Sequence, residues 1–220
     1  MVIRTMESDM ARFCAALFLV LAHCAGAAPQ AVERTEAGNR ISENIPPVPS
    51  QLLERLNRYQ NTRGATLAGW TQEGCVLVGT RFAETNQVHR VCEPLGMREQ
   101  LTFYAEPVLD IAPAPARSAL DGFVFGKDVG GNEFWQLHWF DLASREATLL
   151  TDGTSRNQGP VFSRDGRQLA YSSTQRNGRD TDVWLMDFAT RKARPLVTEG
   201  GLWLALDFSP DGKRLLVMQY

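Results

Sequence analysis

From residue 61 onward the hydrophobic positions fall in short runs and not in helical stripes. Runs rich in Val, Leu, Phe, Trp and Tyr alternate with Gly, Asp and Asn turns, the pattern of antiparallel strands. One segment ahead of them has helical spacing. Pro49 and Ser50 open a short amphipathic helix over residues 49–60, in which Leu52, Leu53 and Leu56 share a face. Residues 29–48, including Pro29, Ser42, Pro46 and Pro47, carry no candidate core and read as a linker.

The strand pattern repeats. Phe162-Ser163-Arg164-Asp165-Gly166-Arg167-Gln168-Leu169 returns as Phe208-Ser209-Pro210-Asp211-Gly212-Lys213-Arg214-Leu215, an offset of 46. Trp70 precedes Phe162 by 92, twice that period. Asp141-Leu142-Ala143-Ser144-Arg145 returns in phase as Asp187-Phe188-Ala189-Thr190-Arg191, again at 46. Each unit holds four short apolar runs separated by turns. Asp-Gly suits a tight turn because Gly takes positive φ freely and Asp bonds nearby amides. Four antiparallel strands in about 46 residues make one propeller blade, and a blade buries both faces only by stacking on neighbours. A solenoid of β-arches would show a shorter period. The expected fold is therefore all-β, a partial β-propeller over residues 61–220 with about three and a half blades. An open array of this kind is expected to expose an apolar face and an unpaired edge.

The amino terminus is different. Arg12 precedes the apolar run Phe13 to Leu21, and Ala25, Gly26, Ala27 and Ala28 follow. A positive start, a short apolar middle and small residues at the end predict a secretory signal peptide over residues 1–28, with Met10 a better start than Met1. The run is too short to span a bilayer. The mature chain is expected in the periplasm or outside the cell, with no membrane association after cleavage.

Export places Cys75 and Cys92 in an oxidising compartment. They flank a predicted hairpin whose turn is Ala83-Glu84-Thr85-Asn86, and folding it about its middle sets positions 75 and 92 opposite each other. A disulfide is reachable, while a slip of one residue would separate the sulfurs. The chain has 23 Lys and Arg against 25 Asp and Glu, so no basic excess points to nucleic acid.

Candidate chemistry is sparse. His89 and His138 sit in predicted strands and read as packing or surface residues. Asp165 and Asp211 occupy equivalent turns and read as structural, well separated from each other. Gly130-Gly131 lacks the Lys and helix of a phosphate loop. No cofactor or metal pattern appears, and none is expected. The tryptophans Trp70, Trp135, Trp139, Trp184 and Trp203 follow the repeat, and blade packing accounts for most of them. The polar segments with Arg156 and Asn157, and with Arg176, Asn177, Arg179, Asp180 and Asp182, are expected in loops at the propeller mouth. There they would bind a peptide carboxylate, contact another domain, or form a solvated rim.

The two Asp-Gly units resemble the WD40-like repeats of bacterial periplasmic propellers, found in TolB-like proteins and in the prolyl oligopeptidase family of serine peptidases. The segments Tyr59 to Arg63, Gly79 to Phe82, Gln87 to Val91, Gln100 to Phe103, Lys127 to Phe134, Thr151 to Asn157 and Ser172 to Asp182 are similar to the bacterial peptidases, so the resemblance covers residues 45–220. It implies an amino-terminal propeller that gates or shapes access to a carboxy-terminal α/β-hydrolase domain, with a peptide substrate. That domain supplies the family's Ser, Asp and His. This sequence reaches Tyr220 inside an expected strand without a G-x-S-x-G elbow, and Gly153-Thr154-Ser155-Arg156-Asn157 lacks the second Gly. No catalytic residue is assigned, and the chain is expected to be truncated before its catalytic domain. The alternative is a non-enzymatic TolB-like periplasmic propeller for protein binding.

Overall fold

The computed structural model describes residues 32–220, so the expected signal peptide lies outside the described residues. The chain divides into two units, Met1–Pro47 and Val48–Tyr220. In the first, the segment expected as a linker holds a hairpin of β1 (Arg34–Ala37) and β2 (Arg40–Glu43). Arg34 pairs with Glu36 and Glu43 across it, but no residue is buried. A two-stranded hairpin without a buried face gains little beyond its turn and these exposed ion pairs.

The second unit opens with α1 (Ser50–Gln60). Leu52, Leu53 and Leu56 line one face as their spacing predicts, yet none is buried. Arg81 Nη2 donates to the Gln60 carbonyl at 2.6 Å, satisfying one of the acceptors a helix end leaves open.

Three four-stranded antiparallel sheets and one two-stranded sheet follow. Blade I is β3 (Ala65–Trp70), β4 (Val76–Thr80), β5 (Gln87–Val91) and β6 (Glu99–Gln100). Blade II is β7 (Leu109–Pro113), β8 (Gly122–Lys127), β9 (Gln136–Asp141) and β10 (Ala147–Leu149). Blade III is β11 (Asn157–Phe162), β12 (Gln168–Ser173), β13 (Asp182–Asp187) and β14 (Ala193–Val197). The last sheet pairs β15 (Trp203–Phe208) with β16 (Leu215–Gln219). Strands run in sequence order within every blade, and the first strands β3, β7, β11 and β15 contact one another in turn. The sheets are therefore radial, with first strands innermost. Each inner strand carries a bulge, which sharpens its twist as it turns about the axis.

Blade faces are apolar because each is covered by the next. Leu77, Val88, Val108, Phe123, Phe125 and Phe140 fill the space between blades I and II. Val124, Leu137, Trp139, Leu169, Tyr171, Met186 and Phe188 fill that between II and III. Ala170, Val183, Ala205 and Phe208 join blade III to the last sheet. Fully burying one such large side chain contributes about 1.5–3 kcal/mol.

At the two ends of the array the pattern reaches solvent. Leu67 and Trp70 are 62% and 61% exposed, and Leu216 is 61% exposed beside Leu206 and Met218. Trp70 ends its inner strand as Phe162 and Phe208 do, but the repeat does not make it a packing residue. No described sheet covers its side of blade I.

Candidate functional site

The mouth end of the blades is formed by the loops between second and third strands and by the crossings from one blade into the next. These meet through one recurring bond. Val108 N–H donates to the Asn86 carbonyl at 2.8 Å, Asn157 to Trp135 at 3.0 Å and Trp203 to Thr181 at 2.9 Å. The first residue of each third strand then anchors the crossing from below. Gln87 donates to the Tyr104 and Glu106 carbonyls at 2.9 and 3.0 Å and accepts from Tyr104 N–H at 3.1 Å. Gln136 donates to the Ser155 carbonyl at 2.6 Å and accepts from Thr151 Oγ1 at 2.7 Å and Gly153 N–H at 2.9 Å. Both glutamines are buried and use the amide's donor and acceptor together.

Blade III replaces this amide with an acid. Asp182 is fully buried, and a carboxylate can only accept, so it needs a donor from elsewhere. Arg176 supplies it in a fork, Nε to Oδ2 at 2.6 Å and Nη2 to Oδ1 at 3.0 Å. The Asp182 hydrogen bond holds the Arg176 guanidinium above its ordinary range. Asp180 ties the same loop to the next crossing, accepting from Asn177 Nδ2 at 2.8 Å and Gly201 N–H at 3.2 Å. Those bonds, Asn177 first, keep Asp180 below the usual carboxylate range.

The five candidate residues thus divide. Asn157 is buried and donates to the Trp135 and Ser155 carbonyls at 3.1 and 2.9 Å. Arg156 pairs with Glu133 at 2.7 Å and lies 4.5 Å over the Trp135 ring. Arg176 serves Asp182, and Asn177 Oδ1 accepts from the Arg179 and Asp180 amides at 3.0 and 2.9 Å. Of the five, only Arg179 has an exposed guanidinium without a hydrogen-bond or ion-pair partner among the described residues. Gln87, Gln136 and Glu133 were not singled out from the sequence. The signal was present: Gln87-Val88-His89 and Gln136-Leu137-His138 open equivalent third strands.

Both histidines sit third in those strands, with Nδ1 at 3.1 and 3.0 Å from the Gln87 and Gln136 carbonyls. His89 packs edge-on to Phe82 and His138 stacks on Phe125. Burial pulls both below the ordinary histidine range, favouring the neutral ring. The sulfurs of Cys75 and Cys92 are 2.13 Å apart, one position beyond the Val76–Val91 pair.

Asp165 and Asp211 require a correction. Each accepts from its own turn, Ser163 Oγ at 2.7 Å and Ser209 Oγ at 2.6 Å, and these bonds lower both carboxyls. They are not in well-separated turns, however. Successive blades are neighbours, so both aspartates line one shallow cleft of about 210 Å³ with Arg117 and Arg164. Among the described residues no group of three His, Cys, Asp or Glu could hold a metal ion, and no helix is long and apolar enough to cross a membrane.

No family model matches the chain. Over 81 residues it is 30% identical to the Tol-Pal system protein TolB of Alcanivorax borkumensis, a stretch that is 37% of this chain and 18% of that protein. Among solved structures it is similar to a putative TolB from Agrobacterium tumefaciens, with a TM-score of 0.56 and 15% identity, over 71% of this chain and 55% of that one. It is similar to an oligogalacturonate lyase from Vibrio parahaemolyticus at 0.52 and 14%, over 67% and 44% of the two chains. It is also similar to the tricorn protease at 0.52 and 17%, over 81% and 16%. The chain spans about half of the putative TolB and less of the others. At these identities the likeness concerns the fold alone, and that fold is an incomplete β-propeller.

Proposed function

We propose that this chain is the propeller portion of an exported serine peptidase of the prolyl oligopeptidase family, shaping access of a peptide substrate to an α/β-hydrolase domain. The observation that carries this reading is the segment Ser172 to Asp182. It is the longest stretch of resemblance to the peptidases, and it forms a closed, hydrogen-bonded loop at the mouth. A gating loop must keep its shape while substrate passes, and bonds from buried Asp182 and from Asp180 support that demand. The chemistry itself belongs to residues outside this chain. The purified 220-residue protein is expected to show no turnover of chromogenic peptides. Turnover abolished by a serine-directed inhibitor would refute the reading. The coding sequence beyond codon 220 is expected to reach a G-x-S-x-G elbow.

A second reading is a TolB-like binding propeller with a protein partner, and the 30% identity over 81 residues favours it. It expects further repeats beyond codon 220 and no elbow, so the same sequencing separates the two. Both readings expect the chain in the periplasm or outside the cell. Amino-terminal sequencing of the exported protein is expected to begin after Ala27 or Ala28.

A further inference from the structure

The end of the blades opposite the mouth carries a charge that the fold does not require. It is formed by the turns between first and second strands and between third and fourth strands. In blade III these turns hold Arg164, Arg167, Arg191 and Lys192 against Asp165 and Asp187, the latter opening the second turn. The turn of the last sheet adds Lys213 and Arg214 against Asp211. Six cations thus face three carboxylates, and each carboxylate already accepts bonds within its own turn. All six cations are exposed, and the one ion pair they make among the described residues is Arg167–Asp165 at 3.7 Å.

The other blades provide an internal control. Equivalent turns hold Glu73, Glu93 and Arg98 in blade I, and Arg117, Asp121, Asp141, Arg145 and Glu146 in blade II. These are nearly balanced, and Arg145 is already bound to Glu99 of blade I. The same turn architecture therefore forms without a basic excess. Like charges this close repel; Arg191 is offset by its place 3.8 Å over the Phe188 ring and Arg167 by Asp165, and the other four cations have no ion pair among the described residues.

We propose that this turn end docks an acidic polypeptide segment. Two recesses lie between the turn tips, one of about 210 Å³ lined by Arg117 and Arg164 with Asp165 and Asp211, the other of about 370 Å³ lined by Lys192 and Arg194 with Asp187. A membrane surface would call for an apolar anchor among the tips, and none of these turns exposes a large hydrophobic residue. A nucleic acid would present a denser line of charge than so small a patch matches, on a chain of net charge −2. The proposal does not depend on which reading of the parent protein holds.

The test uses the 220-residue protein and fluorescein-labelled poly-L-glutamate, followed by anisotropy at about 50 mM NaCl. Arg164→Glu, Arg167→Glu, Lys192→Glu and Lys213→Glu are combined in one variant. The control combines Arg40→Glu, Arg55→Glu, Arg58→Glu and Arg63→Glu, an equal change in charge at exposed sites elsewhere. The turn variant is expected to bind at least about tenfold more weakly than wild type, and the control within about threefold of it. If the turn variant misfolds by circular dichroism, the pair Arg164→Gln and Lys213→Gln replaces it, with weaker binding expected. Three results overturn the proposal: no wild-type binding, equal loss in turn and control variants, or tighter binding to phosphatidylglycerol vesicles or duplex DNA than to polyglutamate.

Discussion

Arg176 and Asp182, six positions apart, form a forked pair that closes a loop, and the acid has no exposure to water. In blades I and II the equivalent position is a glutamine, which needs no counter-ion. The arginine is therefore the condition for an acid at this place in blade III. Arg176→Ala is expected to lower the melting temperature more than Arg179→Ala, which breaks no side-chain bond. Adding Asp182→Asn to Arg176→Ala is expected to recover part of the loss, because a neutral amide no longer requires a cation. Thermal melts of the three variants check this. Equal melting temperatures for Arg176→Ala and wild type would show that the pair does not hold the loop.

The blade count was legible because turns between first and second strands leave a rigid signature. Asp165 and Asp211, with Gly166 and Gly212 at positive φ, mark the turns of blade III and the last sheet unambiguously. Blade II was less legible: its corresponding turn spans residues 114–121 in place of five residues, so the period slips there. The hairpin at Arg34–Glu43 was missed because its strands lack a buried face, and strand prediction reads burial. The anchoring roles of Gln87 and Gln136 were invisible for another reason. Their partners are backbone carbonyls of the crossings, which leave no mark in side-chain identity.

Cys75 and Cys92 close a loop with a sequence separation of 17 across the two central strands of blade I. Constraining the unfolded chain over such a loop stabilises the fold by about 3 kcal/mol. The double variant Cys75→Ala/Cys92→Ala is expected to lose about that much in urea titration. The wild-type mature protein is expected to show no thiol reactive to a chromogenic reagent under denaturing conditions. Two reactive thiols would mean that the bond does not form in the exported protein.

Leu206, Leu216 and Met218 leave one end of the array apolar, and Leu67 with Trp70 does the same at the other. Faces of this kind are buried wherever blades adjoin, so water is an unfavourable substitute. The isolated 220-residue protein is expected to self-associate with rising concentration. Leu216→Glu is expected to shift sedimentation toward monomer without loss of β-structure. A monodisperse wild-type monomer across the concentration range would remove the basis for this expectation.

Tyr171 lies between blades II and III, and burial pushes its hydroxyl up to about 12, with the Asp152 carboxylate adding to the shift. An unfolded tyrosine ionises near pH 10. Below that, both states keep the proton, and the residue adds no pH dependence. Between about pH 10 and 12 the unfolded chain loses its proton while the folded chain retains it, so stability falls as pH rises. The full loss is about 2–3 kcal/mol at about 1.4 kcal/mol per pH unit. Tyr104, also raised by burial, contributes in the same direction. Tyr171→Phe is therefore expected to flatten the alkaline limb of stability without abolishing it. Urea titrations at about pH 9 and pH 11.5 check the slope. A variant whose alkaline slope matches wild type would show that Tyr171 ionises as freely in the folded protein as in the unfolded chain.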